Sequence, residues 1–190
     1  KIKSPYKSNY TITQHYSKAH TGVDLVGIID KYIYAVKAGK IDYLGWENNS
    51  NHSQGFGYYI RVLGEDGLYY YYGHLNWIHE NLKVGDKVEE GQLLGLEGST
   101  GKSTGSHLHL EIRKKIGTIT DMSNSVNVEE LLPNEDDIKE ESEVRKALLK
   151  MNTKLKEKGL QEFNVDYWEG QASDVKYLDE FIIRYSKVFE

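Results

Sequence analysis

The sequence contains no cysteine among its 190 residues. This absence excludes disulfide bonds, thiol nucleophiles and zinc sites that use cysteine ligands. A chain without cysteine is compatible with an oxidising exterior, but the absence does not by itself require that location.

Long apolar runs are also missing. No segment approaches the roughly 20 apolar residues that a helix needs to cross a bilayer. The chain does not open with the basic and then apolar pattern of a secretory signal peptide. Hydrophobic residues make up 38% and charged residues 28% of the chain, which is typical of a globular protein. We therefore expect no membrane span.

Positive charge is scarce, since 24 Lys and Arg stand against 29 Asp and Glu, for a net charge of −5. Residues 1–128 carry 14 basic and 13 acidic side chains, or +1, whereas residues 129–190 carry 10 and 16, or −6. No basic face stands out, so we expect no nucleic-acid partner.

The first two thirds of the chain show the pattern of short strands. Runs rich in β-branched and aromatic residues are separated by Gly, Asn and Asp, which favour turns. These runs are residues 32–36, 41–44, 58–63, 68–72, 93–96 and 107–112. Asp66-Gly67 predicts a hairpin turn between two of them. We therefore expect a mainly β fold with an antiparallel sheet or sandwich core.

The sequence changes character after Pro133. An acidic linker at 134–141 is followed by apolar residues at helical spacing, with Ser142 as a start signal and Gly159 as a stop. A second helical pattern begins at Ser173. The two apolar stripes are Val144, Ala147, Leu148, Met151 and Leu155, and then Val175, Leu178, Phe181, Ile182, Tyr185 and Phe189. We predict a β domain over residues 1–133 and an acidic helical extension over 134–190.

Five side chains in the β-rich part are candidates for a metal site. They are His20, Asp24, His74, His107 and His109. Residues two apart on a strand share a face, so His107 and His109 are predicted to point the same way. A catalytic zinc keeps three protein ligands and one open position. Three of the five would then bind zinc and two would remain for proton transfer, without the spacing alone saying which.

The residues around these candidates occur as four separate motifs in a fixed order. They are His20-Thr-Gly-Val-Asp-Leu, Tyr72-Gly-His-Leu, Val84-Gly-Asp-Lys-Val with Gly91-Gln-Leu-Leu-Gly, and Gly98-Ser-Thr-Gly-Lys-Ser-Thr-Gly-Ser-His-Leu-His-Leu-Glu111. In content, order and spacing, the chain resembles the lysostaphin-like (LytM-type) zinc metallopeptidases from about Ile12 to Leu132.

This resemblance implies an antiparallel β core, an elongated groove and a peptidoglycan endopeptidase with one Zn²⁺ per chain. It implies that His20, Asp24 and His109 bind the zinc, and that His74 and His107 are the two catalytic imidazoles. The chain departs from the family pattern in lacking an Arg shortly before His20 and in having Leu110 where Phe is usual. These differences leave the chemistry intact and leave the substrate open.

Two other functions remain open. The chain could be a zinc peptidase whose substrate is a protein rather than the cell wall, or a non-catalytic module that binds the wall or regulates another protein. We expect peptidoglycan peptides as substrate and an extracellular or cell-wall location, and we consider an association with a phage, prophage or virion. A protein partner that binds residues 134–190 is a further hypothesis. The bond that is cleaved does not follow from the sequence.

Overall fold

A computed structural model describes residues 1–7, 9–28, 30–117, 122–133 and 143–159. In these ranges the chain forms eleven strands, a short 3₁₀ turn and one helix. The strands are β1 (Tyr10–Gln14), β2 (Gly22–Gly27), β3 (Tyr32–Tyr34), β4 (Gly39–Trp46), β5 (Tyr58–Gly64), β6 (Tyr69–Gly73), β7 (Trp77–Ile78), β8 (Lys87–Val88), β9 (Leu93–Leu96), β10 (Leu108–Arg113) and β11 (Ser125–Val126). The 3₁₀ turn is Met122–Asn124 and the helix, α1, is Glu143–Glu157.

The strands form two antiparallel sheets. The larger sheet has the order β1-β2-β10-β6-β5-β4-β8, with β11 also paired to β10, and the smaller sheet has the order β3-β9-β7. The predicted hairpin joins β5 and β6, where Gly67 has a φ of +79° and Gly64 and Leu68 are hydrogen-bonded. The mainly β fold class is therefore confirmed.

A single buried hydrophobic cluster contains residues of both sheets. In β10 and β6 the residues of this cluster alternate with residues of the opposite sheet face, which are also largely buried, as the two-residue period of a strand requires. Leu108, Leu110 and Ile112 of β10 are fully buried. Other members are Val23, Leu25, Ile33, Ile60, Val62, Tyr70, Tyr72 and Leu94. The opposite face of β10 is thereby left for His109 and Glu111.

The predicted first helix is present as α1. It ends at Glu157, close to the predicted stop at Gly159, which adopts a φ of +66°. Met151 and Leu155 of its apolar stripe are buried. The side chains of residues 143–149 and the predicted second helix, from Ser173 onward, lie outside the described residues, as does Ser142. A helical extension after the β fold is thus confirmed for α1.

Contacts along the chain group residues 1–139 and 140–190 into two compact units. The assignment of residues 1–133 to a catalytic domain and of 134–190 to a separate extension stays a prediction. In the part of the chain that the structure describes, α1 is too short and too polar to cross a membrane.

Candidate metal centre

The five candidate residues come together on one face of the larger sheet. Asp24 of β2 and His109 of β10 are cross-strand partners, and His109 also lies opposite Gly73 of β6. His20 lies in the turn before β2, where it forms an isolated bridge with Ser17. Of the remaining two, His74 directly follows β6, and His107 directly precedes β10. Residues far apart in the sequence are therefore neighbours because of the order β2-β10-β6.

Three donor atoms face one another at the centre of this group. His20 Nε2 and Asp24 Oδ1 are 3.1 Å apart, His109 Nδ1 and Asp24 Oδ1 are 2.8 Å apart, and the two nitrogens are 3.2 Å apart. Ligands of a tetrahedral zinc at 2.0–2.2 Å lie about 3.3 Å from one another. The triangle thus has nearly the dimensions of three ligands of one ion.

The outer ring nitrogens indicate that, when the two imidazoles are neutral, the inner nitrogens carry the lone pairs. His20 Nδ1 lies 3.2 Å from the carbonyl oxygen of His15, and His109 Nε2 lies 3.1 Å from Glu111 Oε2. Both oxygens can only accept, so each outer nitrogen donates its N–H and the inner nitrogen is left unprotonated in the neutral ring. Two lone pairs and a carboxylate that converge require positive charge among them, from protons or a metal cation. The donor set therefore fits zinc.

Glu111 is a buried partner of a candidate ligand that the sequence analysis did not single out as a site residue. It is 2% exposed, and its second oxygen accepts a hydrogen bond from Arg113 Nε. A carboxylate that accepts from a ligating imidazole orients the ring and raises its basicity. His109, Glu111 and Arg113 are spaced two apart on one strand, and this alternation was the signal that could have revealed the network.

His74 and His107 lie beside the triangle with their rings 4.7 Å apart, centroid to centroid. His74 Nδ1 donates to the carbonyl oxygen of Thr100 at 2.7 Å, and His107 Nδ1 donates to that of Gly105 at 2.8 Å. Nε2 of each ring is therefore free to accept a proton. His107 Nε2 lies 3.5 Å from Asp24 Oδ2, which places it at the edge of the donor triangle.

Two loops, one with Phe56 and Gly57 and the other with Thr100 and Gly101, contact the backbone of His74, and the second also contacts its ring. Its N–H donates to the carbonyl oxygen of Phe56 at 2.7 Å, and its own carbonyl accepts from Thr100 at 3.4 Å. It has a φ of 63°, which is uncommon outside glycine. The loops touch where Gly57 meets Gly101, since a Cβ on Gly101 would lie 2.3 Å from the nitrogen of Gly57. Side chains are excluded there, and the close approach fixes His74.

Gly22 leaves room for the ring of His109. A Cβ at Gly22 would lie 2.6 Å from His109 Nε2 and 2.7 Å from the carbonyl oxygen of Leu110. Real Cβ atoms do not approach other atoms so closely, and neither neighbour can move without breaking the β2–β10 ladder or the bond to Glu111. The glycine of the first motif is thus explained by packing against a candidate ligand.

The electrostatics of the group favour an ionised carboxylate and a neutral His74. Burial opposes the charge on Asp24, but the contacts of its carboxylate with His109 and His20 outweigh burial and hold the pKa of Asp24 well below its usual range. Burial, with His109 and His107 nearby, lowers the pKa of His74 to about 4. At neutral pH, Asp24 is therefore a carboxylate anion and His74 a neutral imidazole.

The buried pair of His109 and Glu111 is strongly coupled. Burial disfavours charge on both, yet their mutual hydrogen bond, with Asp24 on one side and Arg113 on the other, raises the pKa of His109 and lowers that of Glu111. The pair is thus stabilised as imidazolium and carboxylate. A cation at the position of the Nδ1 proton would keep the same charge balance.

Comparison with known proteins gives a consistent family. The sequence profile of Peptidase family M23 matches residues 18–127, which is more than half of the chain. Lysostaphin from Staphylococcus simulans is 41% identical over 93 residues, or 48% of this chain and 17% of that protein. Peptidoglycan DD-endopeptidase ShyC from Vibrio cholerae is 33% identical over 94 residues, or 50% of this chain and 20% of that protein. The match spans a fifth or less of these relatives.

Solved structures show the same likeness in three dimensions. The catalytic domain of lysostaphin from Staphylococcus simulans superposes with a TM-score of 0.54 at 31% identity, over 64% of this chain and 91% of that one. The catalytic domain of the prophage-encoded M23 protein EnpA from Enterococcus faecalis, in an A109H mutant, gives 0.52 at 32% identity, over 65% and 92%.

Proposed function

Because the chain belongs to peptidase family M23, we propose that it is a zinc-dependent endopeptidase that cleaves peptide cross-links of bacterial peptidoglycan. The observation that carries this proposal is the geometry of the site. The inward donor atoms of His20, Asp24 and His109 lie close enough together to bind one zinc ion, and two further imidazoles lie beside them.

Zinc would be held by His20 Nε2, Asp24 Oδ1 and His109 Nδ1, one ion per chain. When bound, zinc supplies Lewis-acid polarisation of a carbonyl oxygen and activates water for attack at neutral pH. Three protein ligands leave the open position that a catalytic site requires. The carbonyl of His15 and the carboxylate of Glu111 would hold the two ligand rings in the correct tautomers.

His74 and His107 would move the protons of the reaction. Each has its Nδ1–H committed to a backbone carbonyl, so each presents Nε2 to the site in a fixed orientation. One ring accepts the proton of the attacking water, and the other donates to the departing amine or stabilises the oxyanion. The lowered pKa of His74 keeps its ring neutral at neutral pH, so the lone pair on Nε2 is available there.

The proposed substrate follows from the relatives. One carries the name peptidoglycan DD-endopeptidase, and the family as a whole is one of peptidases. The likeness to a prophage-encoded M23 protein supports the further proposal of a phage or prophage association, and with it an action on the wall side of the cell. Binding of a protein partner by residues 134–190 stays a prediction.

Digestion of purified peptidoglycan tests the proposal. Walls with glycine cross-bridges and walls with direct D-alanyl–diaminopimelate links would be incubated with zinc-loaded protein, with and without chelator, and the products read by mass spectrometry. We expect new amino termini from one wall type, abolished by chelator. His107→Ala is the matched control, since it should keep zinc and lose cleavage. Zinc-loaded wild-type protein that cleaves neither wall contradicts the proposal.

A further inference from the structure

A buried carboxylate behind the candidate site is not used by the proposed mechanism. Glu97 directly follows β9, and its side chain is 0% exposed. Its Oε2 accepts from the Tyr6 hydroxyl at 2.7 Å and from the Gly27 N–H at 3.0 Å. Its Oε1 accepts from Lys31 Nζ at 3.1 Å and from Ser106 Oγ at 2.8 Å. Four donors from distant parts of the chain thus meet one carboxylate.

The four donors offset the cost of burying this carboxylate. A buried carboxylate is strongly unfavourable unless its oxygens are paired, and here each oxygen has two donors. Tyr6 lies outside residues 18–127, the segment that matches the family. The N-terminal segment therefore completes a network that the matched segment does not supply alone.

One of the four donors is next to a proposed catalytic residue. Ser106 precedes His107, whose ring is oriented by its Nδ1–H bond to the carbonyl oxygen of Gly105 at 2.8 Å. That carbonyl belongs to the Gly105–Ser106 peptide. Gly105 is exposed, and no atom outside its chain neighbours lies within 4 Å of the position that a Cβ would take. Hydrogen bonds on either side of the peptide are therefore the contacts that can hold its plane.

Hydrogen bonds restrain this peptide from both ends. On one side, Ser103 Oγ donates to the Gly105 carbonyl at 2.8 Å and accepts from the Gly105 N–H at 3.4 Å. On the other, Ser106 Oγ donates to the buried Glu97 at 2.8 Å, and the His107 N–H donates to the carbonyl oxygen of Gly98 at 2.9 Å. If the bond to Glu97 is lost, the peptide is restrained less on that side, and its carbonyl can turn away from the Nδ1–H of His107. The ring then loses the bond that selects its tautomer.

We propose that Glu97 is a positioning residue that acts through Ser106 to orient the imidazole of His107. The catalytic consequence rests on the proposed function, whereas the orientation of the ring does not. Glu97 touches neither substrate nor metal ligand in this arrangement. Its contribution is to anchor a glycine turn that would otherwise be free to move beside the site.

Substitutions at Ser106 test the proposal directly. Ser106→Ala removes one donor and leaves Glu97 with Tyr6, Gly27 and Lys31, so the fold is retained. In zinc-loaded protein, long-range ¹H–¹⁵N spectra of the imidazoles should show His107 changing from one tautomer to a mixture. On soluble cross-linked muropeptides, kcat should fall on the order of tenfold, the equivalent of one hydrogen bond to a charged group, with KM and zinc content unchanged. Ser106→Thr keeps the hydroxyl and should restore both.

Two controls separate positioning from stability. Tyr6→Phe removes a donor from the other oxygen of Glu97, so it should lower the Tm and leave the His107 spectrum and kcat unchanged. Glu97→Gln should reproduce the spectral effect of Ser106→Ala. The exposed Glu80→Gln should match the wild type in every measurement.

Two results would overturn the proposed role of Glu97, and a third separates it from the proposed function. A His107 spectrum that is the same in Ser106→Ala and wild type overturns the proposal. A fall in kcat in Tyr6→Phe as large as in Ser106→Ala also overturns it, since the effect would then follow stability. If the wild type cleaves no peptidoglycan, the proposed function fails, but the imidazole spectra still decide the role of Glu97.

Discussion

Replacement of Glu111 by glutamine is expected to weaken zinc binding by about one to two orders of magnitude. One carboxylate oxygen accepts from His109 Nε2 at 3.1 Å and the other accepts from Arg113 Nε. A glutamine side chain has one oxygen and one NH₂ group. One of the two donors must then face another donor, and the negative charge that supports the His109 imidazole is gone.

The magnitude follows from the bonds that are lost. A hydrogen bond to a charged group contributes about 1.5–3 kcal/mol, and loss of a group that orients a metal ligand lowers metal affinity about 10- to 100-fold. The side chain of Arg113 is 12% exposed, so it cannot recover full hydration when its partner is neutralised. We therefore also expect the free energy of unfolding to fall by about 1–3 kcal/mol, or roughly 2–4 °C in Tm for each kcal/mol.

The assay is competition between the zinc-free protein and a fluorescent chelator at pH 7.5, with folding checked by circular dichroism at the same temperature. Glu65→Gln, in the exposed turn between β5 and β6, makes the same chemical change without a contact and should bind zinc as the wild type does. A folded Glu111→Gln protein whose zinc Kd is within twofold of the wild type would refute the reasoning.

Three further predictions concern the zinc ligands, a tight glycine turn and the pH dependence of stability. His20→Ala should lose both zinc and wall digestion, whereas His107→Ala should keep zinc and lose only digestion. Elemental analysis measures the zinc, and mass spectrometry of the products measures digestion. Absence of zinc from purified His107→Ala would contradict the assignment. Gly101→Ala should lower stability by roughly 1–3 kcal/mol more than Gly67→Ala in denaturant titration, because both have positive φ but only Gly101 meets a backbone nitrogen at 2.3 Å. His74→Gln should flatten the pH dependence of stability in the zinc-free protein. The pKa of His74 falls from 6.5 to about 4 on folding, so between these pH values the unfolded chain binds more protons than the folded one. The contribution of neutral His74 to the free energy of unfolding is therefore up to about 3 kcal/mol; it is present above pH 6.5 and is lost as the pH falls to 4. Equal slopes for wild type and variant would contradict this.

Much of the arrangement could be predicted because strand periodicity is local. His107 and His109 are two apart, and the structure places Leu108 between them in the core. The β-rich runs, the hairpin at Asp66-Gly67 and the end of α1 near Gly159 follow from side-chain patterns within a few residues. The mainly β fold was therefore accessible from sequence.

Other features depend on register, which is a property of pairs of strands. That Asp24 lies opposite His109 follows from the β2–β10 ladder, and nothing within either segment specifies it. The Glu97 network requires Tyr6 and Lys31 to arrive from separate parts of the chain. Glu111 differs from these features, because its two-residue spacing from His109 is visible in the sequence. Its hydrogen bonds to His109 and Arg113 are visible only in the structure.

The anchors of the four imidazoles suggest where substitutions will matter. His20, His74 and His107 each donate their outer N–H to a backbone carbonyl, so no single side-chain replacement at those acceptor positions removes the acceptor. His109 alone among the four relies on a side chain, Glu111. Beyond the five candidate residues, sensitivity should therefore concentrate at Glu111, at the Ser106–Glu97 pair and at glycines whose backbone conformation aims the carbonyls. Preorganised rings, rather than ring identity alone, are what proton transfer at this site requires.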